Sequence, residues 1–137
     1  MKTEHIIGLI VGGTAIGLGI YFLVKKPSGG GNGTTGHFLK EDILNGWLSK
    51  YEVRRGETVQ VWARFKNSQS KTFSGTWNHE VFGFGGAHIP ITIRPGDTIE
   101  VNRDWTVPND LANGTYALSI YIGDTWNTFP ERVKVIG

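Results

Sequence analysis

The chain contains no cysteine, so no disulfide can staple it and no thiolate can serve as a nucleophile or metal ligand. Nor does the soluble part carry a surplus of either charge: residues 38–137 hold eleven Lys and Arg against eleven Asp and Glu. The formal +2 therefore resides in Lys2, Lys25 and Lys26 against Glu4. With no basic run left over, the sequence offers nothing to a nucleic acid. Signs of catalysis are equally sparse. Of the four histidines, His5 and His37 lie near the N-terminus, and His79 and His88 fall mid-domain. His79, Glu80 and His88 form at most an incomplete ligand set, with no fourth member. Asp104, Asp110 and Asp124 are too dispersed for an acidic calcium loop. The expectation is a non-catalytic protein with no cofactor and no metal, a hydrolase with a dispersed site being the remote alternative.

Nineteen consecutive uncharged residues, Ile6 to Val24, are present between Lys2 and the Lys25–Lys26 pair. As a helix this run is about 28 Å long, close to the roughly 30 Å hydrocarbon core of a bilayer. A cleaved signal peptide would need a polar, small-residue cleavage region after the apolar core, and Lys25, Lys26 and Pro27 stand there instead. The reading is an uncleaved signal anchor over 1–26, a single transmembrane α-helix with the lipid bilayer as its first partner. Gly8, Gly12, Ala15 and Gly19 share one face of that helix. Such faces let helices approach closely in lipid, which predicts self-association. Residues 27–37 hold Gly29, Gly30, Gly31, Gly33 and Gly36 with no large apolar side chain. They read as a flexible linker that leaves the following domain almost free to reorient. Lysine counting on the two sides of the span is close to a tie and faintly favours a cytoplasmic domain.

Residues 38–137 are long enough for one domain, which at about 100 residues buries roughly two-thirds of its unfolded surface. From Gly46 onward the pattern is one of short period-two runs broken by Gly, Pro and Asn, an antiparallel β signature. Val59, Val61, Ala63 and Phe65 alternate with Thr58, Gln60, Arg64 and Lys66, giving one wet face. Seven strands are expected, near Trp47–Val53, Glu57–Lys66, Thr72–Phe82, Ile89–Ile93, Ile99–Val107, Tyr116–Ile122 and Arg132–Ile136. Phe38 to Asn45 fits either a helical turn or a leading edge strand. Turns at Arg55-Gly56, Arg94-Pro95-Gly96-Asp97, Asn113-Gly114 and Gly123-Asp124 punctuate the runs. The expected class is all-β, a two-layer sandwich with a small closed barrel as the alternative.

The series Val53-Arg54-Arg55-Gly56-Glu57-Thr58-Val59, Phe65-Lys66-Asn67-Ser68, Ile93-Arg94-Pro95-Gly96-Asp97-Thr98, Trp105-Thr106-Val107-Pro108 and Asn113-Gly114-Thr115-Tyr116-Ala117-Leu118 resembles the immunoglobulin-like, CARDB-like adhesion sandwiches of bacterial and archaeal surface proteins. The likeness spans about Trp47 to Gly137. It implies a seven-stranded antiparallel immunoglobulin-like sandwich, and no particular ligand. Tyr116 stands where such sandwiches place a corner tyrosine, an ordinary core aromatic being the alternative. By analogy with surface proteins of this plan, the domain is expected outside the cytoplasm or in a virion membrane.

Aromatics are in excess, with five tryptophans in the domain. Alternation and loop context place Trp62, Trp77 and Trp126 away from the main core, and the Phe82-Gly83-Phe84 stretch reads as a loop with Phe84 at its surface. Trp62, Trp77, Phe84 and Trp126 are therefore the candidate partner-binding residues. They would take other protein subunits, with carbohydrate stacking as the alternative.

Overall fold

The computed structural model describes residues 9–11, 20–23 and 33–137. Apart from a 3₁₀ turn at Lys40–Asp42, everything regular among them is β. Of the Ile6 to Val24 run, the described pieces are two short strands, β1 (Leu9–Val11) and β2 (Ile20–Leu23). The rest of the run, including Gly8, Gly12, Ala15 and Gly19, lies outside the described residues; in the two described pieces the backbone is extended where a helix is expected. Among the described residues no helix is long and apolar enough to cross a membrane.

The domain is a sandwich of two sheets, compatible with an immunoglobulin-like arrangement. In the first sheet, β6 (Thr58–Lys66) lies between β4 (Ile43–Leu48) and β10 (Thr98–Thr106), with β2 and β1 beyond β10. The second runs β3 (Thr34–Thr35), β7 (Thr72–Val81), β11 (Gly114–Ile122), β12 (Thr125–Ile136), β5 (Glu52–Arg54), with β8 (Phe84–Gly85) and β9 (Ile89–Ile93) also paired to β7. The alternation read in β6 is the one observed: Val59, Val61, Ala63 and Phe65 are buried, facing Trp77, Ile91, Ile120 and Ile122 in one continuous core.

Three features differ from the sequence reading. The strand expected over Trp47–Val53 is two strands in different sheets. Leu48 ends the pairing with β6, and Val53 lies parallel to Val135 of β12. The ladder is thus not wholly antiparallel, and the chain's first long segment changes sheets within four residues of Leu48. The last strand begins at Thr125 rather than Arg132 and is interrupted by a bulge: Leu118 faces Phe129 while Tyr116 faces Val133. Pro130 cannot donate to a ladder and Glu131 adopts φ 56°, so this extra stretch stands out of register. Finally, the glycine-rich linker stops short of residue 37. Thr34 and Thr35 pair parallel with Thr72 and Phe73, and Phe38 is fully buried edge-on to Phe65 and Phe73 at 5.7 and 5.0 Å. Burying one phenylalanine is worth about 2 kcal/mol and offsets part of the ordering cost of these residues, to which the Thr34–Thr35 pairing and the bonds to Asp124 also contribute. The undecided Phe38–Asn45 stretch proves to be both of its alternatives in turn, a 3₁₀ turn followed by β4.

An arginine seals each open side of the sandwich. Arg132, leaving the β12 bulge, donates from Nε to the Gly46 carbonyl at 3.0 Å and covers the Phe129 ring. Close approach here requires Gly46, because a Cβ would lie 2.6 Å from Ile120 Cγ1. On the opposite side Arg103, buried on β10, donates to Asn78 Oδ1 at 3.0 Å and to the Ala87 carbonyl.

Candidate functional site

The chain enters the domain at one end and is clamped there. The Asp124 carboxylate, in the β11–β12 turn, accepts from the Phe38 backbone N–H at 3.0 Å and bonds His37 Nδ1 at 2.7 Å. The bond from His37 holds the Asp124 carboxyl below its usual range, helped by the Phe38 amide. Gln69 Nε2 donates to the His37 carbonyl at 2.8 Å. Beside this end, buried Asn67 donates to the Lys71 and Ile93 carbonyls, and Asp42 accepts from the amide and hydroxyl of Ser68. Residues 35–38 are thus tied to the domain at this end.

At the other end, β7 turns into β8 through Phe82 and Gly83. Both have positive φ, 48° and 83°, the pattern of a two-residue hairpin of the primed type. Asn, Asp or Gly usually occupies the first such position, and a bulky aromatic residue there is strained. Phe82 is nonetheless 72% exposed, leaning on Tyr116 with ring centroids 5.3 Å apart. Tyr116 is anchored in turn, its hydroxyl donating to the Ala112 carbonyl at 2.6 Å. This is the corner tyrosine geometry. With ten residues in β7, at about 3.3 Å each, the Phe82 tip lies roughly 30 Å from the clamped entry.

The four aromatic candidates do not form one surface. Trp77 is fully buried and packs edge-on to Phe65, because Phe73, Trp77, His79 and Val81 all fall on the inward face of β7. It cannot touch a partner, which corrects the expectation for it. Phe84 is half-buried against the core rather than at the surface, and Phe82 takes the exposed place expected for it. Trp62 lies on the outer face of the first sheet, its ring stacked on Trp47 at 5.9 Å. Trp126 is 52% exposed on the outer face of the second sheet, stacked on Tyr121 at 5.9 Å. Trp62 and Trp126 thus face opposite sides of the molecule. Sequence reasoning missed Phe82, although Val81-Phe82-Gly83-Phe84 carries the glycine of a tight hairpin turn, and it missed Tyr121, whose strand position put it opposite the core.

Buried polar chemistry lies between the sheets. His79 is inaccessible, edge-on to Trp105 at 5.3 Å, and neither ring nitrogen has a partner. Burial, with the nearby Arg103 charge adding to it, pushes its pKa down to about 3. Glu80, the next residue, faces outward, and His88 is exposed, so His79, Glu80 and His88 do not converge. Among the described residues, no three His, Asp or Glu side chains gather as a metal site. Among the described residues, aromatic side chains reach the surface at the Phe82 tip, on the Tyr121–Trp126 face and in the Trp47–Trp62 stack, the first two carrying the most exposed rings. No protein-family model matches this chain, and no curated protein matches it.

Proposed function

We propose that the chain is a single-pass membrane protein in which an N-terminal signal-anchor helix carries a non-catalytic, CARDB-like immunoglobulin sandwich that binds other protein subunits. The setting is a cell envelope, a surface appendage or a membrane-containing virion, with the sandwich on the extracytoplasmic side. Support for the anchor is the uncharged Ile6 to Val24 run with its lysine flanks. Support for a partner at the far end is Phe82: a bulky side chain held at positive φ and 72% exposed. Asn or Gly would relieve the strain, and the Tyr116 ring covers only part of the Phe82 side chain, leaving most of it to solvent.

The test is affinity purification of native complexes from detergent, comparing wild type with Phe82→Asn. Asparagine suits the left-handed backbone but loses the Tyr116 ring contact, so the variant is expected to stay within about 1 kcal/mol of wild type in stability, yet to lose its co-purifying subunit. Retention of an unchanged subunit set by the variant would refute the tip as the contact. Release of the wild-type chain from membranes by carbonate washing would refute the anchor.

A further inference from the structure

We infer that the outer face of the second sheet, centred on Tyr121 and Trp126, is a binding site for a neutral glycan. Register places three residues in a row across this face, Asn78, Tyr121 and Trp126 on β7, β11 and β12, and the next row on the same face is Glu80, Ser119 and Thr128. Neighbouring strands are about 4.8 Å apart, so each row is roughly 10 Å wide, enough for a sugar ring and its neighbour.

The two aromatic rings are held before any ligand arrives. Trp126 stacks on Tyr121, their planes 26° apart. Tyr121 is itself fixed, because its hydroxyl donates to Glu80 Oε1 at 2.8 Å. That bond to Glu80 raises the pKa of the Tyr121 phenol and keeps it protonated. Around the rings stand groups that match sugar hydroxyls. Ser119 and Thr128 share a hydroxyl bond of 2.9 Å and retain further lone pairs. Asn78 uses its carbonyl oxygen on the Gly86 amide and Arg103, which turns its NH₂ donors elsewhere. Glu80 keeps a second carboxylate oxygen able to accept.

Charge decides the class of ligand. The two rows contain no Lys or Arg, and their one carboxylate is tied to Tyr121, so nothing here selects phosphate or an acidic polymer. A protein hot spot is surrounded by groups that exclude water. Here the exposed Trp126 has on its own face Thr128 along the strand and Ser119 beside it, a hydrogen-bonding surround rather than an apolar rim. The C–H face of a pyranose packs on the negative face of an aromatic ring while its hydroxyls reach the amide and hydroxyl groups beside it. This site lies nearer the clamped entry end than the Phe82 tip and does not depend on that tip or on the membrane anchor.

The test is an array of neutral oligosaccharides, including β-1,4-linked glucose and N-acetylglucosamine oligomers, α-glucans and mannans. The full chain is presented in a detergent without a sugar headgroup, and hits are measured by calorimetric titration. Wild type is expected to bind at least one linear glycan, Trp126→Ala to lose roughly tenfold or more in affinity, as for an aromatic anchor, and Tyr121→Phe to lose less. Phe82→Asn is expected to bind the glycan unchanged, which separates this site from the subunit contact. Absence of binding to every member at millimolar concentration overturns the inference, as does a glycan affinity that survives Trp126→Ala in a protein whose circular dichroism matches wild type. A co-purifying protein lost with Trp126→Ala while no glycan binds also overturns it.

Discussion

Acid should unfold this domain earlier than its carboxylates require, and His79 is the reason. In the folded chain the ring titrates at about 3, against 6.5 for an unperturbed histidine. Between those values the unfolded chain takes up a proton that the folded chain refuses, so stability falls as pH falls. The slope approaches 1.4 kcal/mol per pH unit, which gives a loss of about 2 kcal/mol by pH 5 and about 3 kcal/mol by pH 4 relative to neutral. Above pH 6.5 the effect vanishes. Since a domain of this size is stable by about 5–15 kcal/mol, a loss of that order is easily measured. The window from pH 6.5 to 5 lies above the ordinary carboxylate range; buried Asp97, whose carboxyl pKa is raised by burial, acts in the opposite sense, gaining stability as pH falls, so the comparison with a His79 variant isolates the ring. Urea unfolding followed by tryptophan fluorescence at several pH values gives the curve directly. His79→Leu is the decisive variant: neither ring nitrogen makes a hydrogen bond, so leucine loses none, has similar volume and cannot take a charge. It is expected to stay within about 1 kcal/mol of wild type at pH 7 and to be clearly more stable at pH 5. Equal slopes for the two proteins between pH 6.5 and 5 would show that His79 does not titrate as its burial dictates.

Two further substitutions test the packing that positions the surfaces. Gly46→Ala puts a methyl 2.6 Å from Ile120 Cγ1 and is expected to cost about 1–3 kcal/mol in urea unfolding; a neutral result would mean that β4 and the second sheet are not in close contact. Tyr116→Phe removes only the hydroxyl bonded to the Ala112 carbonyl and is expected to cost about 1 kcal/mol, read as a lower unfolding midpoint with an unchanged slope. Because Phe82 leans on the Tyr116 ring rather than its hydroxyl, subunit binding should survive that change.

Periodicity made the strands legible wherever one face is core and the other wet. Val59 to Phe65 and Leu118 to Ile122 alternate strictly, and the burial follows the alternation residue by residue. Turn chemistry was legible for the same local reason: Gly56, Gly96 and Gly123 each sit at positive φ where the sequence places a turn. The break between Leu48 and Val53 was not legible, because a strand that changes sheets keeps its extended backbone and changes only its neighbours. Nor was the place of Trp77, whose polar neighbours Asn78 and Glu80 suggest a wet strand although it faces inward itself. The exposure of Phe82 in place of Phe84 rests on a hairpin register that only pairing with Val81 defines.

The order of apolar and polar residues along this chain is enough to decide an all-β domain without disulfides or charge bias, because alternation and turn preferences act over a few residues at a time. Tertiary structure alone decided which aromatics share a face, which arginine closes which side, and that the linker's last residues are locked by Asp124 and the burial of Phe38. Those outcomes depend on contacts between residues up to 87 positions apart, and no local pattern encodes a neighbour that distant.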